Sequence, residues 1–242
     1  MNAVQVEHLD PALVRDRRER VAAARRLASA AMPEARADAD DAGYWQALFE
    51  ANAVAVLAAL PGVRLADGYA VRYRFCGRRG GDLLVRPFVT RSGTDVRNVL
   101  RVLDWHPPPD AGAAARASTT QDVELLYRHF TIEPTAAGAF DYWLAMQELW
   151  ASQPWIHSTL LADASELSQL TAAPEWRVER PVERVEPAVL REAEHGAHLA
   201  VLVHCPLERH AVFFHRVRIA PTQAIEYAES LIVANGPRGL LS

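Results

Sequence analysis

The chain has 242 residues, half of them apolar and under a quarter charged, with a formal net charge of −4. This is ordinary globular composition, and it gives no broad electrostatic basis for binding nucleic acid. All 26 basic side chains are Arg, which excludes a Schiff-base or P-loop lysine.

The abundance of Ala, Arg and Pro suggests GC-rich bacterial coding. Cys76 and Cys205 are far apart and outside any CxxC pattern, so a reducing cytoplasm is the expected setting. No apolar run approaches the ~18 residues of a membrane helix. The opening MNAVQVEHLDPALV lacks the charged-then-apolar form of a signal peptide.

Asp10 and Pro11 suit the cap and first position of a helix predicted over 11–31. Val14, Val21 and Ala28 recur at heptad spacing, while Arg15, Arg17, Arg18, Arg20, Arg25 and Arg26 cover much of the remaining surface. Such a helix can grip an acidic partner or pack against a second copy of the chain. A solvated face, partly neutralised by Asp16 and Glu19, fits the overall acidity better. The acidic loop 37–41 leads into a second predicted helix, 42–60, whose apolar half from Ala53 to Leu60 implies burial; Pro61-Gly62 ends it.

Residues 69–76 and 82–90 read as a hairpin. Pairing Cys76 with Asp82 gathers Arg72, Arg74 and Arg86 on one face, with Arg72 opposite Arg86. That arrangement is a candidate anion-binding patch, since like charges facing each other call for an anion between them. The plainer alternative is an exposed face with its arginines lying along the surface. Val96, Val99, Leu100 and Leu103 predict a helix over 95–104, and 106–118 has linker composition, either an internal boundary or a long surface loop.

A short helix from Thr120 to Phe130 is followed by a major one over 136–152, carrying Phe140, Trp143 and Trp150. An aromatic stripe of this kind is core or the wall of a pocket, with Asp141, Glu148 and His157 as the nearest polar groups in sequence. Asp163 and Glu166 have capping-box spacing. Trp176–Val185, with Pro181 inside, reads as an edge strand. Residues 186–195 read as a short helix, with a strand as the alternative.

Residues 197–219 form the clearest hairpin. A four-residue turn at Pro206–Arg209 sets Cys205 against His210 and puts Leu199, Val201, Val203, Val212 and Phe214 on one apolar face. His198 and His215 then share the other face, close enough to act as a proton-transfer pair or to contact a ligand. The alternative is two half-buried sheet histidines. No third ligand has metal spacing, so neither a metal nor another cofactor is predicted. Pro221 opens a final predicted helix to Ala234, packing through Ile225, Ala228, Leu231 and Ile232.

These elements imply an α+β fold in one domain, 1–242: an antiparallel sheet of about four or five strands built from hairpins, helices packed mainly on one face. There is no nucleophile elbow, HExxH, P-loop or zinc spacing. A protein that binds a ligand or partner without catalysis is therefore slightly favoured. The alternatives are a small enzyme with an aromatic-walled pocket and His198 or His215 as base, and an anion or nucleic-acid binder using Arg72, Arg74 and Arg86.

Overall fold

The computed structural model describes residues 6–31, 42–79, 82–93, 126–150, 158–192, 196–206 and 209–238. The predicted helix over 95–104, the 106–118 linker and His157 lie outside them. Helix α1 (Pro11–Ala31) starts where Asp10 Oδ1 accepts from the Ala12 N–H at 2.8 Å, the expected cap. Its Val14, Val21 and Ala28 are buried, as their spacing predicts. Helix α2 (Ala42–Ala59) buries Phe49, Ala53 and Val56 and leads into β2 (Val63–Leu65).

Strands β3 (Tyr69–Arg79) and β4 (Asp82–Arg91) form the predicted hairpin, but in a different register. Asp82 pairs with Arg79 rather than Cys76, and an irregularity between Phe75 and Gly77 takes back one residue of that shift, so Arg74 faces Arg86 and Arg72 faces Phe88. Of the predicted Thr120–Phe130 helix, the described part is a single 3-10 turn at Leu126–His129. Phe130 already belongs to β5 (Phe130–Ile132), which pairs with β2. Helix α3 (Ala136–Trp150) is apolar on most sides and correspondingly enclosed, with Phe140, Tyr142, Trp143, Met146 and Leu149 all buried. The capping box at Asp163 and Glu166 opens α4 (Ala164–Leu170): Asp163 accepts from the Glu166 N–H, and Glu166 accepts from the Ala162 N–H.

The main sheet is antiparallel and has seven strands, more than the sequence implied. Its path runs β1 (Val6–His8), β8 (Ala188–Glu192), β9 (Gly196–Cys205), β10 (Arg209–Ile219), β11 (Ile225–Arg238) and β7 (Arg177–Val178), with β6 (Thr159–Leu160) also pairing with β9. The class is α+β. Residues 188–192 take the strand alternative rather than the helix. The predicted edge strand at 176–185 shrinks to the two residues of β7.

The predicted helix over 221–234 is instead β11, the longest strand. Gln223, at φ 67°, reverses the chain after β10. It is pinned by the Tyr142 hydroxyl donating to its carbonyl (2.7 Å) and by its own Nε2 donating to Phe130 O (2.8 Å). The returning chain then takes the open edge of β10. Register shifts leave Ala228 and Val233 as extra residues on β11, which breaks the two-residue alternation that marks a strand in sequence.

The β9–β10 register is also one residue off the expected one. Ala211, not His210, faces Cys205, and His215 faces Val201, so that five residues rather than four separate the partners that flank the turn. A slip of one residue moves every side chain of β10 to the other face. Leu199 and Val201 join the main core with Val217, Ile219 and residues of α1, α2 and α3, and Val203 packs against it. Val212 instead lies in a second cluster with Leu161, Val185, Leu202, Val233 and Ala234, and Phe214 packs against that one. No described helix is long and apolar enough to cross a membrane.

Candidate functional site

Between α1, α3, β6 and the helix-facing side of β9–β11 lies a cavity of about 620 Å³, within the range of pockets that enclose small molecules. Its aromatic wall is Trp143 and Trp150 of α3, His215 of β10 and Tyr227 of β11. Trp143 is 2 % exposed while Trp150 is half exposed. Trp143, Gln147 and Trp150 recur at helical spacing and so share one face of α3. Tyr227 faces the same side as His215 because it stands opposite Val217, two residues further along β10.

Charged and polar side chains of α1, α3 and β6 complete the lining. Arg25 Nη1 of α1 lies 2.8 Å from Glu148 Oε2, close enough for an ion pair but outside hydrogen-bond alignment. Burial pushes the Glu148 carboxyl above its ordinary value, and Arg25 offsets this in part. Arg18 donates to both carboxylate oxygens of Glu166, at 2.7 and 2.9 Å, and also to the Leu160 carbonyl. Burial raises the pKa of the Tyr227 phenol, moderated by the neighbouring side chains of Trp143 and Gln147. Trp143 Nε1 is itself buried, on the side of the Tyr227 phenol.

His215 Nδ1 and Ser230 Oγ share a hydrogen bond of 2.8 Å, and the imidazole meets the Tyr227 ring edge-on at 5.3 Å. Burial lowers its pKa below the ordinary 6.5, so near neutral pH the ring is uncharged and can hold or take a proton.

The expected pairing of His198 with His215 is overturned. In the observed register His198 stands opposite Arg218 and projects from the other face of the sheet from His215. His198 is 41 % exposed, with Glu192 at 3.9 Å. The histidines that do meet are His204 and His210, with Nε2 and Nδ1 3.0 Å apart and Trp176 against both rings.

Of the aromatic stripe, Trp143 and Trp150 line the cavity, whereas Phe140 is fully buried against Trp143 as core. Asp141 serves structure instead, bonded to Gly62 and Arg17. The expected opposition of Arg72 and Arg86 is corrected by the hairpin register, and Arg72 pairs with Glu50 of α2. The Arg74 and Arg86 side chains lie outside the described residues.

Tyr227 was hidden by its assignment to a helix. Arg18 and Arg25 were read as part of a solvated face, yet α1 directs Arg15, Arg17, Arg18 and Arg25 to carboxylates of α3 and α4 and the α4 cap. No cluster of three or more His, Cys, Asp or Glu that could hold a metal occurs among the described residues. No family model, curated protein or solved structure matches the chain.

Proposed function

We propose that this is a small-molecule-binding protein whose largely apolar ligand occupies the cavity between α1, α3 and β9–β11. The observation that carries this reading is the cavity itself: about 620 Å³ and aromatic on several sides, with the polar side chains of α1, α3 and β6 completing its wall, a size and aromatic lining suited to a ligand pocket. A reducing, cytoplasmic setting fits the sparse cysteines. Calorimetric titration with ethylnaphthalene, an apolar probe, tests the reading. Saturable binding is expected in the wild type and its loss in Ala22→Phe, because Ala22 lines the cavity on a half-buried turn of α1. Equal binding by both proteins sinks it.

A catalytic reading has one observation in its favour. His215 is on the cavity wall, is held neutral by burial, and has Nδ1 engaged by Ser230, the arrangement of a general base with Nε2 left to act. His198 has no part in it. The anion-binding reading is weakened by the engagement of Arg72 with Glu50.

A further inference from the structure

Nearly every polar group in the cavity wall already has a partner. Arg18 is taken by Glu166 and Arg25 by Glu148. Trp143 and Gln147 are hydrogen-bond neighbours of the Tyr227 hydroxyl. Glu19, Ser158 and Thr159 are exposed and stay solvated. His215 is the exception. Its Nδ1 is held by Ser230 at 2.8 Å, while Nε2 meets no group among the described residues and, unlike Trp143 Nε1, is not sealed from solvent.

The ring that carries this nitrogen is fixed in place. Phe213 stacks parallel to it at 5.8 Å, Tyr227 meets it edge-on at 5.3 Å, and the bond to Ser230 opposes its turning over. Nε2 is therefore a pre-positioned contact, so a ligand that uses it pays little side-chain ordering. Burial keeps the imidazole uncharged near neutral pH, so only one of its nitrogens carries a proton. The Ser230 hydroxyl can donate or accept, which lets Nε2 accept in one tautomer and donate in the other. A hydroxyl pairs with Nε2 in both cases, a ketone in one and a hydrocarbon in neither.

Charge narrows the ligand further. An anion would find both guanidiniums committed and would approach the poorly solvated Glu148 carboxyl at a cost. A cation would come up against Arg18 and Arg25, while Glu19, the exposed carboxylate of the lining, is screened by water.

The geometry points to a neutral hydroxy-aromatic compound, of the phenol or naphthol class, as the ligand. Its hydroxyl pairs with His215 Nε2, and its ring system lies against Trp150 and Tyr227. This inference rests on the cavity being a binding site, and the experiment separates the two.

The test titrates four probes of similar size, naphthol, ethylnaphthalene, naphthoate and naphthylmethylammonium, by calorimetry at about pH 7, where a phenol keeps its proton. The ratio of naphthol to ethylnaphthalene affinity is expected to fall about tenfold in His215→Phe, the scale of one hydrogen bond, while ethylnaphthalene affinity stays within about twofold. In the wild type, the nitrogen NMR signal of His215 Nε2 should move on binding naphthol and stay nearly still on binding ethylnaphthalene. That signal decides the matter even if His215→Phe does not fold. An unchanged affinity ratio, or an Nε2 signal indifferent to naphthol, overturns the inference and leaves the cavity reading standing. Tighter binding of naphthoate or of naphthylmethylammonium than of naphthol overturns the neutral class. Failure of all four probes to bind removes the cavity reading and this inference with it.

Discussion

Arg17 Nε of α1 donates to Asp141 Oδ1 of α3 across 2.9 Å, with the two side chains only 13 % and 1 % exposed. The second oxygen of Asp141 accepts from the Gly62 N–H at 2.9 Å, so one carboxylate joins α1, α3 and the turn before β2. Asp141→Ala is expected to destabilise the fold by about 3 kcal/mol, because it leaves a mostly buried cation with only the more exposed Asp16 and strips a buried N–H of its partner. Combining Arg17→Met with Asp141→Leu should recover only part of that loss, since an apolar pair has no charge to desolvate but leaves the Gly62 N–H unpaired.

The same carboxylate has a pH signature. Burial raises its pKa above the ordinary 3.8, outweighing the Gly62 N–H and Arg17. A raised folded-state pKa gives stability that is full below the unfolded value and lost as pH rises through the folded one. The stability margin of the wild type over Asp141→Asn should therefore narrow as pH rises from about 4. Urea midpoints across that range give the answer, and a widening margin contradicts it.

Gly196 opens β9 at φ +94°, and a Cβ placed on it would stand 1.9 Å from the Ile219 carbonyl oxygen. Both the backbone conformation and the space require glycine here. Gly196→Ala is expected to lower stability by at least about 2 kcal/mol and to loosen the β9–β10 pairing at its Ala197–Ile219 end. Hydrogen exchange of the β9 amides reports this directly. Unchanged protection would show that the strand end adapts without strain.

Sequence patterning revealed the elements whose cause is local. The α1 stripe of Val14, Val21 and Ala28, the Asp163–Glu166 capping box and the apolar α3 follow from short-range spacing, and each stands in the structure. What escaped depended on single-residue counts or on distant partners. One extra residue in the 206–210 connection separated His198 from His215 and moved Val212 to the second cluster. Within the stretch read as a helix, the extra residues Ala228 and Val233 gave a strand the spacing of a helix and concealed Tyr227. The arginines of α1 pointed to solvent by composition, but carboxylates more than a hundred residues away receive Arg15, Arg17 and Arg18.

His204 and His210, with their ring nitrogens 3.0 Å apart, predict sensitivity to acid at the hairpin tip. Burial, and then the charge of His210, lower the pKa of His204 below 6.5. A depressed pKa gives stability that is present above the unfolded value and lost as pH falls through the folded one. Urea midpoints should drop as pH falls below 6.5, and His204→Gln should flatten that slope. An unchanged slope in the variant would assign the acid sensitivity to other groups.

His215 sets the pH dependence of the cavity. Its imidazole is neutral above a pKa lowered by burial, and Ser230 holds Nδ1 at 2.8 Å. Protonating it would place a charge beside the Tyr227 ring and the apolar ligand space, where desolvation opposes it. Ethylnaphthalene affinity is therefore expected to stay level at about pH 7 and above and to weaken as pH falls through the His215 pKa. In His215→Gln, which keeps a polar side chain but cannot take up the proton, the acid-side weakening should disappear while affinity near neutrality changes little. A parallel titration of the imidazole by NMR should give a midpoint below 6.5 that follows the affinity curve. The same acid-side loss in the variant would show that another group governs the cavity, with the Glu148 carboxyl, raised by burial, the next to replace.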